Sequence, residues 1–269
     1  MLRSTEQASP YAALDAMSTR ELLAAISRED QTVPQVIAGI LPAVEAAAEA
    51  VYARMREGGR LFYLGSGTSG RLGIVDASEC PPTYGVPQGW VVGIIAGGDG
   101  AIRKAVEFAE DDRAQGWADL QAHRVSAADF VLGISASGST PYVLGALEAC
   151  RRAGIATGCI ACNAGSPLEA LADYPMIAVT GPEVVTGSTR MKAGTAQKLI
   201  LNMLSTTVMI RLGRVKGSRM VDMQLANRKL VERGTRMVME ETGLAYADAE
   251  TLLLEAGSVR EALERHSRR

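Results

Sequence analysis

The sequence predicts an α/β protein: a parallel sheet covered by helices on both faces, with N-terminal helices before it and a small C-terminal helical appendage after it. Three observations point there. Short apolar runs, of the kind that form strands buried on both faces, alternate with stretches of helical periodicity. Glycine-, serine- and threonine-rich loops follow two of those runs directly. Aromatic residues make up only 4% of the 269-residue chain while the hydrophobic set makes up 47%, so Ala, Val, Ile, Leu and Met must build a large core.

Residues 1–18 read as irregular, with Pro10 among scattered polar groups. Ser18 or Thr19 is placed to cap a helix over 20–28. A second helix is expected from about Pro34 to Glu57, with Pro34 in its first turn. Val36, Ile37, Ile40, Leu41, Val44 and Ala48 recur in it at helical spacing, and Gly58-Gly59 stops it. The period then changes. Arg60–Leu64 is a strand, followed by Gly65–Gly70 and a short helix expected to end before Pro81-Pro82. Val91–Ala96 is the second strand, and a helix is expected over about 101–112. Phe130–Ile134 is the third strand, followed by Ser135–Thr140 and a helix from Pro141 to Arg152. Ala156–Ala161, a short helix at 166–172 and a strand from Met176 to Val179 complete the sheet. A long helix over about Ser188–Leu212 closes the unit, with a charged helix at 222–241 and short helices over 244–267 after it. Right-handed crossovers place the post-strand loops along the carboxyl edge of the sheet, where such folds bind ligands. The chain divides into an N-terminal helical segment (1–51), a central sheet domain (52–215) and a C-terminal helical region (216–269).

Several function classes drop out. The net charge is −2 with both signs interleaved and no basic stripe, so no nucleic-acid partner is expected. No signal peptide is visible, and no apolar run is long enough to span a bilayer. A cytoplasmic protein with reduced thiols and no membrane partner is expected. Cys159 and Cys162 form a C-x-x-C, but no second pair stands nearby; His123 and His266 are far apart. All four cysteines and both histidines are read as packing residues, with no metal, no cofactor and no histidine-based triad. The 188–212 helix is apolar nearly all round, which predicts a homodimer.

Gly65–Gly70 satisfies the G-x-G-x-x-G dinucleotide fingerprint, but the acidic residue that fingerprint needs after the second strand is replaced by Ala96-Gly97-Gly98. The variable positions carry hydroxyls instead: Ser66, Thr68 and Ser69. Hydroxyls and free N–H groups at a helix start suit a phosphate dianion. Arg71 is placed to add charge or to serve a surface role. The third strand repeats the chemistry with Ser135, Ser137, Ser139 and Thr140 around Gly138. One such loop is as readily a turn and a helix cap. Two on one sheet edge favour phosphate. A third segment, Gly181–Arg190, contains Glu183, placed to contact sugar hydroxyls or act as a base.

These loops resemble the sugar isomerase (SIS) domain over about residues 52–215, with Ser135–Thr140 similar to that family's phosphate clamp. A closer resemblance runs nearly end to end. Asp76–Thr83 (DASECPPT), Ala109–Asp112, Gly181–Gln197 (GPEVVTGSTRMKAGTAQ), Thr5-Glu6-Gln7 and Leu14–Thr19 resemble the N-acetylmuramic acid 6-phosphate etherases, an SIS lyase family. Ser139 departs from that family's usual Arg, and Ala8-Ser9 departs from its usual Arg-Asn. The resemblance implies a phosphorylated amino sugar as substrate, cleaved at its C3 lactyl ether to D-lactate and N-acetylglucosamine 6-phosphate. In the open-chain sugar the C1 aldehyde acidifies the C2 proton; a base removes it, lactate leaves C3 with help from an acid, and water adds to the double bond. Two carboxylates suffice for that chemistry. The resemblance assigns Glu79 as the acid and makes Glu110 the expected base. The alternatives are a non-catalytic phosphosugar-binding regulator, as in glucokinase regulatory protein, and an aldose–ketose isomerase using Glu183.

Overall fold

The computed structural model describes residues 3–106 and 108–268. Two short 3-10 turns, Ser4–Glu6 and Leu14–Ala16, precede α1 (Thr19–Asp30). The start of α1 is a capping box: Ser18 Oγ accepts from the Glu21 N–H and the Glu21 carboxylate accepts from the Ser18 N–H. The single helix expected over 34–57 is two, α2 (Val33–Gly39) and α3 (Leu41–Arg56). The chain axis over Thr19–Gly39 turns by 62° into α3. Pro42 is the cause: it has no N–H, and its ring crowds the carbonyl of Ala38.

The sheet contains β1 (Leu61–Gly65), β2 (Val91–Ile95), β3 (Phe130–Ile134), β4 (Ala156–Ala161) and β5 (Tyr174–Ile177), all parallel, in the order β2-β1-β3-β4-β5. Successive residues point to opposite faces. Leu61, Tyr63, Leu132 and Ile134 join Val44, Val51, Ile200 and Leu204 in one core; Phe62, Leu64 and Val131 join Leu120, Tyr142 and Leu147 in the other. The covering helices are α4 (Gly67–Tyr84), α5 (Gly100–Arg103), α6 (Gln115–Ala122), α7 (Pro141–Arg152), α8 (Pro167–Leu171) and α9 (Lys192–Arg211). A third, separate core forms under α10 (Arg228–Thr242), α11 (Tyr246–Ala256) and α12 (Val259–Ser267), from Val221, Met223, Val238, Leu252, Leu253 and Val259.

The charged helix expected over 222–241 begins only at Arg228, where the Asn227 side chain accepts from the Leu230 N–H, and four further boundaries differ. First, α4 runs on through Pro81 and Pro82. The prolines fall in its last turns, where only the bonds to the Ala77 and Ser78 carbonyls are lost. Gly85 ends the helix at φ 64, its N–H donating to the Pro81 carbonyl. A Cβ on Gly85 would stand 2.0 Å from the Asp222 carbonyl oxygen, and the Gln224 N–H donates to the Pro82 carbonyl. The C-terminal region is thus seated on the end of α4. Second, the helix expected over 101–112 is only α5; Lys104 turns extended, and Asp112 accepts from the Ala114 and Gln115 N–H groups to start α6. Third, β5 lies two residues earlier than expected. It tolerates Pro175 because it is an edge strand. Fourth, α9 begins at Lys192 rather than Ser188. Among the described residues no single helix is long and apolar enough to cross a membrane.

Candidate active site

The loops after β1 and β3 meet along the carboxyl edge of adjacent strands. In the second of these loops the hydroxyls form a linked chain. Ser135 Oγ lies 2.8 Å from Thr140 Oγ1 and 3.3 Å from Ser137 Oγ, and Ser139 Oγ donates to Ser137 Oγ at 3.1 Å. The Gly138 N–H donates to the buried Ser135 Oγ. Because hydroxyl protons rotate, such a chain can redirect its donors onto an anion without moving its oxygens. Gly138 sits at φ 68, and a Cβ there would meet Ser166 Oγ at 2.4 Å. Only glycine allows this loop to lie against α8.

In the first loop the hydroxyls divide their work. Ser66 makes no capping bond to α4; its Oγ donates to Glu110 Oε2 at 2.8 Å. Thr68 is half-buried near Gly194 on α9. Ser69 is buried and donates to Gln197 Oε1 at 3.0 Å, which ties α4 to α9. The Glu110 backbone carbonyl accepts from the Tyr142 N–H in the first turn of α7. Both ends of Glu110 are therefore fixed between the two loops. Its side chain stands at a cavity of about 180 Å³ that reaches Arg71, Ala101 and Ala105.

Glu79 lies elsewhere in the chain. It is exposed on α4, twelve residues beyond Gly67. At 1.5 Å per residue that is about 18 Å along the axis. The helix packs Gly70 against Gly65 and Gly73 against Tyr63, so it descends antiparallel to β1. Glu79 is thus carried toward the amino edge of the sheet, away from Glu110. Between them Asp76 is buried and accepts from Tyr63 Oη (2.9 Å), Asn202 Nδ2 (3.0 Å) and Ser205 Oγ (3.1 Å). Burial pushes its pKa up, against those three donors.

Glu183 is fully buried. Its two carboxylate oxygens accept from the Lys192 and Ala193 N–H groups at 2.9 and 3.0 Å, capping α9 from a distance. Burial raises its pKa, and the two backbone donors and Lys192 oppose the rise. This cap explains the late start of α9.

Sequence reasoning missed the N-terminal strap. Asn163, after β4, accepts from Ser4 Oγ and the Thr5 N–H and donates to Thr5 Oγ1 and the Ala136 carbonyl. This lays residues 3–7 over the carboxyl edge. Arg3, Gln7, Ser137 and Ser166 line a cavity of about 350 Å³ there. Farther along, Tyr11 Oη and Lys192 Nζ both donate to Glu29. The Thr5-Glu6-Gln7 run was the visible signal; its docking partner was not.

Known proteins resemble this chain. The glucokinase regulatory protein N-terminal SIS domain family matches residues 43–151, and the SIS domain family matches residues 108–207. The N-acetylmuramic acid 6-phosphate etherase of Porphyromonas gingivalis is 60% identical over 97% of this chain and 95% of its own length. Those of Christiangramia forsetii and Serratia proteamaculans are 57% and 53% identical, over 97% and 91% of this chain and 96% and 82% of their own lengths. A solved phosphoheptose isomerase from Francisella tularensis superposes with a TM-score of 0.55 at 19% identity, over 72% of this chain and 100% of its own; it shares the fold.

Proposed function

The chain belongs to the N-acetylmuramic acid 6-phosphate etherase family, and from that premise we propose that its active site is assembled from two copies of the chain. The protein is a carbon–oxygen lyase that cleaves the lactyl ether of its phosphorylated amino sugar, releasing D-lactate and N-acetylglucosamine 6-phosphate. Acid and base act on adjacent carbons, so both must lie within hydrogen-bond reach of one substrate. Within one protomer Glu79 and Glu110 are separated by most of the height of the sheet, about 18 Å along α4. A homodimer in which Glu79 of the partner subunit faces Glu110 satisfies both the chemistry and the geometry.

The surface around Glu79 supports that assembly. Val75 on α4 and Met203 and Ile210 on α9 are exposed apolar side chains, and Asn202, Thr206 and Thr207 lie exposed beside them. Lys198 is the cation on that stretch of α9. Glu45 and Glu49 of α3 border it beside Met203, so the face has an apolar centre with charged edges, which suits burial between two subunits.

The hydroxyl chain of Ser135, Ser137, Ser139 and Thr140 takes the 6-phosphate, and Ser66 and Thr68 face the same edge. Ser69 acts indirectly, by holding α4 to α9. Ser139 leaves these hydroxyls without a cation of their own, and Arg3 in the adjoining cavity supplies one. Glu110 takes the C2 proton of the open-chain sugar. The C3–O bond then breaks, and Glu79 of the partner subunit protonates the departing lactate oxygen. The same Glu79 takes a proton from water as its oxygen adds to C3, and Glu110 returns the proton to C2. Glu183 holds α9 rather than reacting: both its oxygens are engaged by backbone donors. That occupancy also disfavours an isomerase using Glu183. The four buried thiols, all free, suit a reducing cytoplasm.

The observation that carries this reading is Glu110 fixed between the two hydroxyl loops. In D2O, Glu79→Gln should still exchange the C2 hydrogen while releasing little lactate, and Glu110→Gln should do neither. Exchange at the wild-type rate in Glu110→Gln would remove Glu110 from the role of base.

A further inference from the structure

The cavity of about 180 Å³ beside Glu110 has a composition that the chemistry above does not use. Its walls are the methyl groups of Ala96, Ala101, Ala105, Val106 and Ala109; its polar edge is Ser66, Arg71 and Glu110. Arg71 stiffens one wall by donating from Nε to the Ile102 carbonyl (2.8 Å) and from Nη2 to the Ala101 carbonyl (2.7 Å). Phe108 stands at the rim, 82% exposed and at φ 61, a left-handed conformation that costs a bulky side chain free energy. Strain of this kind collects where a ligand or a partner is contacted.

We propose that this cavity receives the 2-acetamido group of the substrate and makes the enzyme selective for a short N-acyl chain. The inference rests on Glu110 being the base at C2. A carboxylate that removes the C2 proton has the nitrogen substituent of the same carbon beside it. The pocket that opens at Glu110 is therefore the pocket that substituent meets. Its walls suit a methyl group, and its polar edge suits the amide. The lactyl group is the other candidate occupant. It is anionic, and a carboxylate placed here would face the Glu110 carboxylate and lie against five apolar side chains, while two of the Arg71 nitrogens that could answer it already donate to the Ala101 and Ile102 carbonyls. It also departs toward the acid, which Glu110 does not provide.

The test uses kcat/KM for substrates varied at one group at a time: N-formyl, N-acetyl and N-propionyl at C2, and lactyl or glycolyl at C3. One methyl in an apolar pocket discriminates by about 10- to 200-fold, so the wild type should favour N-acetyl over N-formyl by about tenfold or more. Ala105→Leu, at an exposed wall position, should collapse or invert that ratio while leaving the lactyl-to-glycolyl ratio unchanged. Val106→Ala enlarges the cavity from another exposed position and should raise relative activity on N-propionyl substrate, so the inference stays testable if Ala105→Leu does not fold. N-acyl ratios unmoved by both variants would overturn the proposal. So would a change confined to the C3 series, which would assign the cavity to the lactyl group. Failure of the underlying role of Glu110 shows separately, as C2 exchange surviving in Glu110→Gln.

Discussion

Glu79→Gln and Glu110→Gln, each inactive alone, should restore activity to one another when mixed. The expectation follows from the distance along α4. Twelve residues from Gly67 to Glu79 give about 18 Å of rise. Glu110 is held at Ser66, one residue before that helix, by a 2.8 Å hydrogen bond. Helical side chains lean back toward the N-terminus, which recovers only a few ångströms. No rotamer change closes the gap, so the proposed site borrows its acid from a second copy of the chain. In a two-fold dimer, a heterodimer of the two variants contains one site with both carboxylates intact and one with neither. Random exchange makes about half of the dimers mixed, and each contributes one of its two sites, so about one quarter of wild-type lactate release should return. The assay is lactate release after subunits are exchanged in mild denaturant and restored, with size exclusion and light scattering reporting the dimer. If the mixture stays as inactive as the separate variants while dimers demonstrably exchange, both carboxylates act within one chain and the composite site is wrong. A monomeric mass for the active wild type would refute it as directly.

Other expectations follow from individual contacts. Arg3→Gln should raise KM for the sugar phosphate by about tenfold or more, as loss of one charge-assisted bond predicts. Inhibition by inorganic phosphate should weaken in parallel with kcat little changed, and Arg3→Lys should recover part of the loss; an unchanged phosphate inhibition constant would exclude Arg3 from the site. Gly138→Ala, at φ 68 and 2.4 Å from Ser166 Oγ, should lower Tm by several degrees in a melting experiment and weaken phosphate inhibition, since a left-handed alanine alone costs about 1–2 kcal/mol. Glu29→Gln should cost about 3 kcal/mol at pH 7 in denaturant titration, because it unpairs Lys192, whose side chain is 4% exposed. The Lys192 ammonium at 2.7 Å holds the Glu29 carboxyl below its ordinary value of 4.5. That contribution is therefore complete above the unfolded value and is lost as pH falls through the lowered folded one. The stability gap between wild type and Glu29→Gln should narrow in acid below about pH 4.5; a gap constant down to pH 3 would mean that Lys192 does not set it.

Local order determined most of what the sequence by itself could specify. β3, α7 and β4 lie where the apolar runs and the Ser-Thr-Pro junction put them, because a buried strand, a glycine-bearing turn and a proline at a helix start are chosen by neighbours a few residues away. The hydroxyl loops were legible for the same reason, and Glu79 was proposed only through the resemblance of DASECPPT to a lyase family. What only the tertiary structure decided depends on partners more than a hundred residues distant. Ser69 meets Gln197, Asn163 pins Thr5, and Lys192 meets Glu29. Glu183, read as a candidate base, became a helix cap only because the chain returns it to the start of α9. The same holds for Glu79. Its residue type came from the sequence, but its place on the far part of a descending helix came from the packing of α4 against β1, and the proposed composite site follows from that place. Hydrophobic period and turn chemistry are written in short windows. The closing of one surface onto another depends on the whole fold.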